Sequence, residues 1–415
     1  MLESYFLREI RGIFRPAQGC LAHPYFVPGG IFHDELWDWD SFWITKGLLA
    51  LTGEVADAEA AEFVHHARGS WINFFLNQAP NGTVPIMVKS SNPDVFECSS
   101  RRGRNQAKPV FGQFALAIAS HTGDADWVAP HFDGLMRFYT RWVEEYGTET
   151  GLLVWGCDVA IGVDNDPTTY GRPEFSSANL LLNCLFYQDV LAAGSLAAML
   201  GRDEDAQTLR GWADQTKAAV LRECWDACDG FFYTVDVQSG DHRDKYLPGM
   251  KQGMSMTWRT LPLKVKMFTG FLPMWCGIAT EDQARVLVEK HLRNEEEFAA
   301  PWGVRSMSKS ERMYEPATDS ANPSNWLGPI WIVANHMVYE ALDRYGYEAD
   351  ANTLAEKTRS LLSGDLQKTG TLHECYDPDT GAPNFNGGFL SWNLLAAMMR
   401  TTSRSSHKHQ ILRPH

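Results

Sequence analysis

The stretch from Ala178 to Gly201, ANLLLNCLFYQDVLAAGSLAAMLG, is apolar on almost every side of a helix and stops at a glycine. Such a helix must be surrounded by other elements, so the fold has to be large enough to enclose it. The segment directly after it, Asp203–Trp225, is amphipathic, with Leu209, Trp212, Thr216 and Val220 at helical spacing. The two read as an inner and an outer helix. The pairing recurs. Ala56–Ala79 sets Ala61, Val64, Ala67 and Trp71 on one stripe, and helical patterns cover 111–123, 127–147, 280–292, 328–346, 349–364 and 387–402. Strand signals are short: Gly151–Cys157, Gly230–Asp236 and Gly82–Val88. No Pro/Ser-rich linker divides the chain and no repeat stands out. The economical reading is one all-α domain over residues 1–402, with a basic, polar tail at 403–415 expected to be disordered.

A barrel of paired helices collects its long loops at one rim. The bulk numbers narrow what such a rim binds. Net charge is −14, which argues against nucleic acid or an anionic membrane as partner. Fifteen tryptophans is a high number; such an excess is often extra core, and it also suits a sugar-binding cleft, because an indole face covers the apolar face of a pyranose. The eight cysteines show no CxxC pair, and the N-terminal MLESYFLREIRGIF carries charge within its apolar run. No uncharged run approaches the length of a membrane span. These features predict a cytoplasmic protein with free thiols.

Five loops carry residues suited to chemistry. In FVPGGIFHDELWDWDSFW, Phe26–Trp43, acidic Asp38 and Asp40 lie between Trp37, Trp39 and Trp43. A carboxylate between indoles can hold vicinal hydroxyls while an indole stacks on the ring. Either aspartate could instead cap a helix starting near Ser41. The second loop places Asn105, Gln106 and Lys108 before Pro109, where amides and a cation suit polar ligands; Arg101, Arg102 and Arg104 read as a solvated basic stretch. The third, WGCDVAIGVDNDPTTYGRPEF, bears Asp158, Asp164 and Asp166. An acid held near Trp155 and Val163 would have its pKa raised by desolvation and could protonate a leaving oxygen. EF-hand spacing is absent there, and no metal is expected. The fourth carries Trp326 and Trp331 around Gly328-Pro329, with Trp326 the better placed to face a ligand. The fifth, TLHECYDPDTGAPNFNGGFLSW, holds Glu374, which on its own reads as a surface residue. Two carboxylates from separate loops suit glycoside hydrolysis. No GxSxG, P-loop, GxGxxG or HExxH motif supports acyl, phosphoryl, hydride or zinc chemistry.

Taken together these motifs resemble the inverting α-glycosidases with an (α/α)6 barrel, and most of all glycoside hydrolase family 63 with its bacterial glucosylglycerate and mannosylglycerate hydrolases. They also resemble the family 37 trehalases. The likeness runs from Phe26 to Met399. The trehalase-type PGGRF…WDSY is similar to Pro28–Phe32 and Trp39–Phe42, with Ile31 in place of Arg. NRSQPP is similar to Asn105–Pro109, with Lys108 in place of Gln. SGxDN is similar to Ile161–Asn165, WRGPIW to Trp326–Trp331 with Leu327 for Arg, and YEYYDPxTG to Leu372–Gly381. The resemblance implies Asp164 as general acid, with Asp166 competing and Asp158 behind it, and raises Glu374 to general base. It implies substrate contacts from Phe26, Trp37, Trp39, Asp40, Asn105, Gln106, Lys108, Gly162, Asn165, Arg172, Trp326, Gly328 and Trp392. The expected substrate is a small α-glycoside or disaccharide, without a cofactor. Lys108, Arg172 and Arg305 would suit an anionic aglycone, amides and hydroxyls a neutral one. A sugar epimerase on a similar barrel, using histidines such as His373, and a non-catalytic sugar binder are the rival readings.

Overall fold

The computed structural model describes residues 1–99, 105–239, 258–317 and 324–400. Arg101, Arg102, Arg104 and the tail at 403–415 lie outside the described residues. The apolar run folds as the helix Leu180–Met199, with Asn179 capping it by accepting the Leu181 N–H. It packs along the amphipathic helix Asp203–Glu223. By length and composition this inner helix could cross a membrane, yet most of it is buried inside the protein. Its one carboxylate, Asp189, is fully enclosed and accepts from Tyr139 Oη at 2.6 Å and the Gln113 N–H at 2.8 Å.

The other inner segments are Asp38–Leu51, Phe111–Thr122, Leu272–Trp275 with the 3₁₀ turn Phe268–Phe271 before it, Ile332–Arg344, and the 3₁₀ helix Ser391–Ala397. With Leu180–Met199 standing between Phe111–Thr122 and Leu272–Trp275, each neighbours the next, and Ser391–Ala397 packs back on Asp38–Leu51. Asp57–Leu76 lies over two of these, and Glu348–Thr369 covers Ile332–Arg344. The N-terminal helix Leu2–Glu9 closes against the chain's other end, where Glu3 pairs with Arg359 at 2.5 Å. Loops before the inner segments meet at their N-terminal ends, where helix dipoles favour negative charge.

Several local readings change. The helix expected at 387–402 is the short 3₁₀ segment, because Gly387-Gly388 and a tight turn precede it. The 280–292 pattern forms an α-helix, Glu281–Val286, that widens into a π-helix, Leu287–Leu292. The helix predicted from Ser41 begins at Asp38, and its N-cap residue Trp37 makes no side-chain cap bond. Gly151–Cys157 yields only an isolated bridge, Gly147 with Leu153. The remaining strands are short antiparallel pairs such as Glu35–Trp37 with Met87–Lys89, which brace loops rather than build a layer.

Candidate active site

The two aspartates of the Trp-Asp-Trp-Asp run sit two residues apart on one helix, so they face nearly opposite ways. Asp38 points into the protein and is fully buried. It accepts from the Trp39 N–H and the Lys108 N–H, both at 2.7 Å, and its two oxygens lie 3.0 and 3.2 Å from Lys108 Nζ. That ammonium also stands 5.4 Å over the Trp39 ring. Asp38 is thus a brace for the second loop. Asp40 points the other way, into an open cavity, and accepts from Ser391 Oγ at 2.7 Å. Burial pushes its carboxyl up to about 7, with the Asp38 charge adding and Ser391 and Lys108 opposing.

The acid loop turns its three aspartates to different partners. Asp164 faces the cavity, and burial raises its pKa against a hydrogen bond from Ser324 and the charge of Lys108. Asp166 is enclosed, accepting from Thr168 N at 2.8 Å, Thr168 Oγ1 at 2.7 Å and Asn179 Nδ2 at 3.0 Å, so it holds the loop onto the helix it precedes. Asp158 accepts the Gly171 N–H. Asn165 takes the Trp326 N–H at 2.7 Å and donates to Asn325 Oδ1, which ties the third loop to the fourth. Gly162 lines the cavity at φ +94°, where a Cβ would come within 2.9 Å of Lys108 Cε and of the Trp39 ring.

Glu374 is fixed on every side. Its N–H bonds Phe385 O at 3.0 Å, its carbonyl accepts from Trp392 Nε1, and its Oε2 accepts from Asn386 Nδ2 at 2.9 Å. Asn386 also accepts the Ile31 N–H at 2.9 Å, so one amide links the Pro-Gly-Gly turn to the carboxylate. This explains Gly30: at φ +60° a Cβ there would lie 2.1 Å from Asn386 Oδ1. Flanking Glu374, His373 Nδ1 and Tyr376 Oη meet the buried Asp365 at 2.9 and 3.0 Å. Burial, reinforced by the charges of Asp40 and Asp164, pushes the Glu374 carboxyl up to about 8.

Asp40, Asp164 and Glu374 therefore share one cavity of about 410 Å³ with Trp37, Trp39, Lys108, Gly162 and Trp392. Other expected contacts do not line it. Phe26 is enclosed in a strand pair with Phe14 and stacks near His66. Gln106 is fully buried. Trp326 stacks flat on Trp331 at 4.0 Å in the core, and Gly328 packs on the Tyr314 ring. Arg172 pairs with Asp236. Asn105 and Asn165 also lie behind the wall; Asn105 brackets the acid loop through Gly156 N, Cys157 O and Val159 O. Their motifs sit beside the site in sequence, but alternate residues turn away from it. The wall also contains Pro28, Ile31, Phe32, Phe96, Ala160, Ser324, Phe385 and Phe389. Phe96, in the polar stretch SNPDVFECSS, carried no signal in sequence.

Residues 33–393 match the family model of the mannosylglycerate hydrolase MGH1-like glycoside hydrolase domain. The chain belongs to the MGH1-like glycoside hydrolases. Among curated members, mannosylglycerate hydrolase MGH1 of Selaginella moellendorffii is 28% identical over 56% of this chain and 40% of its own length. A cytosolic neutral trehalase of Kluyveromyces lactis is 23% identical over 87% of this chain and 52% of its own. The chain thus spans about half, or less, of the curated relatives it matches. The fold of this MGH1-like glycoside hydrolase is that of the family 63 mannosylglycerate hydrolase of Thermus thermophilus, solved with glucose: TM-score 0.70 at 21% identity, covering 96% of this chain and 99% of that one.

The burial of Asp40 has a consequence for stability. Unfolded, it titrates near 3.8; folded, at about 7. The native state therefore holds this proton more tightly, and stability is lost as pH rises between those values. Asp40→Asn removes that cost. The variant is expected to melt at the wild-type temperature near pH 4 and above it at pH 8, by about 2–4 kcal/mol in unfolding free energy. Melting curves from pH 4 to 9 check this; a constant gap would refute the assignment.

Proposed function

We propose that the chain is an inverting, exo-acting α-glycosidase, an α-glucosidase, that removes a terminal α-linked sugar from a small glycoside or disaccharide. One observation carries it: carboxylates from loops far apart in sequence face a single cavity closed at one end by tryptophans, in a member of a glycoside hydrolase family. The ring of neighbouring inner segments, with outer helices over them, supports reading the fold as one (α/α)6 barrel domain over residues 1–402. Eight free thiols support a reducing, cytoplasmic setting.

The terminal sugar lies against Trp39 and Trp392, whose rings meet edge to face at 5.9 Å and 69°, and Asp40 accepts hydrogen bonds from its hydroxyls. Asp164 protonates the glycosidic oxygen as the bond breaks. Glu374 removes a proton from water on the opposite face, and that water attacks the anomeric carbon. Asp164 rather than Asp166 takes the acid role, because Asp166 spends both oxygens inside its loop. A second assignment exchanges the pair. It is favoured by the hold of Glu374 on its proton up to about 8, since an acid must be protonated when substrate arrives. The three facing carboxyls titrate as a set, so their order alone does not assign roles.

A proton NMR time course on α-linked substrates tests the mechanism. The expected first product is the β-anomer. Early α-anomer would show retention and end the two-carboxylate scheme.

A further inference from the structure

The cavity has a direction. At its closed end Trp39, Asp40, Glu374 and Trp392 are only 4–6% exposed, whereas Ile31 at the mouth is 55% exposed. A terminal sugar held between Asp164 and Glu374 therefore projects its aglycone toward the mouth. There Phe32, Trp37 and Phe96, all partly exposed, form a continuous aromatic wall: Phe32 meets Trp37 at 5.8 Å and 75°, and Trp37 meets Phe96 at 5.6 Å and 60°. Phe96 reaches this wall from a loop distant in sequence. Apolar rings left partly open to water beside a cavity of carboxylates are costly unless a ligand covers them. Such rings match the flat C–H face of a six-membered ring.

Charge points the same way. Three carboxylates face the cavity, and the ammonium of Lys108 is taken by both oxygens of Asp38. Among the described residues that line the cavity Lys108 is the one cation, and with its ammonium already paired none is left to receive an anionic aglycone.

Resting on the hydrolase reading, we infer that the aglycone is a neutral group bearing a six-membered ring, a second sugar or an aryl group, which lies against Phe32, Trp37 and Phe96. This separates the chain from a preference for glycerate.

The test compares kcat/KM of purified protein on three kinds of glycoside of the same sugar, for glucose and mannose in turn. These are the α-glycosyl fluoride, ring-bearing glycosides (α-linked disaccharides and p-nitrophenyl glycosides), and the glycerate glycoside. The α-linked disaccharides, which release an alkoxide as the glycerate glycoside does, are expected to exceed it by at least about tenfold, in line with one or two ring contacts. Phe96→Ala is expected to lower the ratio of ring-bearing glycoside to fluoride by about tenfold, and Phe96→Tyr to restore it. Which ring-bearing substrate loses more on Phe96→Ala, disaccharide or aryl glycoside, tells which ring is read. Preference for the glycerate glycoside overturns the inference even if every variant misfolds, and so does a ratio unmoved by Phe96→Ala. Failure to hydrolyse either fluoride sinks the hydrolase reading, and this inference with it.

Discussion

Glu374→Gln is expected to abolish hydrolysis of glycosyl fluoride and O-glycoside alike, by about 10³–10⁴-fold in kcat, while Asp164→Asn loses a similar factor on the O-glycoside only. The difference follows from the leaving group. An alkoxide needs a proton as the bond breaks, and fluoride does not. Water needs its proton removed in both reactions, so the base cannot be spared. Both side chains are nearly isosteric with their replacements. In Glu374→Gln the new amide oxygen can still meet Asn386, which holds Glu374 Oε2 at 2.9 Å. Loss of activity then reports chemistry and not collapse of the loop that carries Glu374. If Asp164→Asn loses the fluoride reaction and Glu374→Gln keeps it, the roles are exchanged, and the carboxyl held up to about 8 is the acid. If both variants keep both reactions, neither residue is catalytic.

Lys108→Met is expected to destabilise the protein by about 3–5 kcal/mol, because it leaves Asp38 charged and enclosed. The side chains of the pair are 2% and 0% exposed, so solvent does little to screen either charge. Asp38→Asn should cost a similar amount by stranding the ammonium beneath Trp39. The double variant Asp38→Asn with Lys108→Met should recover most of the loss, since a neutral pair fills the same space. Chemical denaturation of the four proteins checks this; additive losses would show that the two residues act independently. Lys108→Met also takes away a positive charge that lowers both Asp40 and Asp164, so both carboxyls should move further up. With Asp164 as the acid, the alkaline limb of the pH–rate profile is then expected to shift to higher pH.

The two variant sets separate what the rim motifs do. Asp38 and Asp40 lie in one short stretch, yet Asp40 faces the cavity with Trp39 while Asp38 holds a loop through Lys108. The sequence set both aspartates in a loop before a helix starting near Ser41 and could not say which faced the cavity; the helix begins three residues earlier, at Asp38, and turns them apart. The acid loop shows the same thing. Asp158, Asp164 and Asp166 are chemically alike in sequence. Only hydrogen bonds to Gly171, Thr168 and Asn179 commit the outer two.

The helical class, the pairing of inner and outer helices, and the loops that meet at the cavity were legible in the amino-acid order. Periodicity records which faces of a helix are buried, and the apolar run Ala178–Gly201 can only be an inner helix. Which loop residues share the cavity was settled only by packing. Phe96, Asn386 and Ser391 reach Trp37, Glu374 and Asp40 from separate loops. Trp326, Arg172 and Gln106 turn away because Trp331, Asp236 and the core hold them. Loop residues carry no period, so their direction is set by contacts between segments that are remote in the chain and adjacent only once the helices have packed.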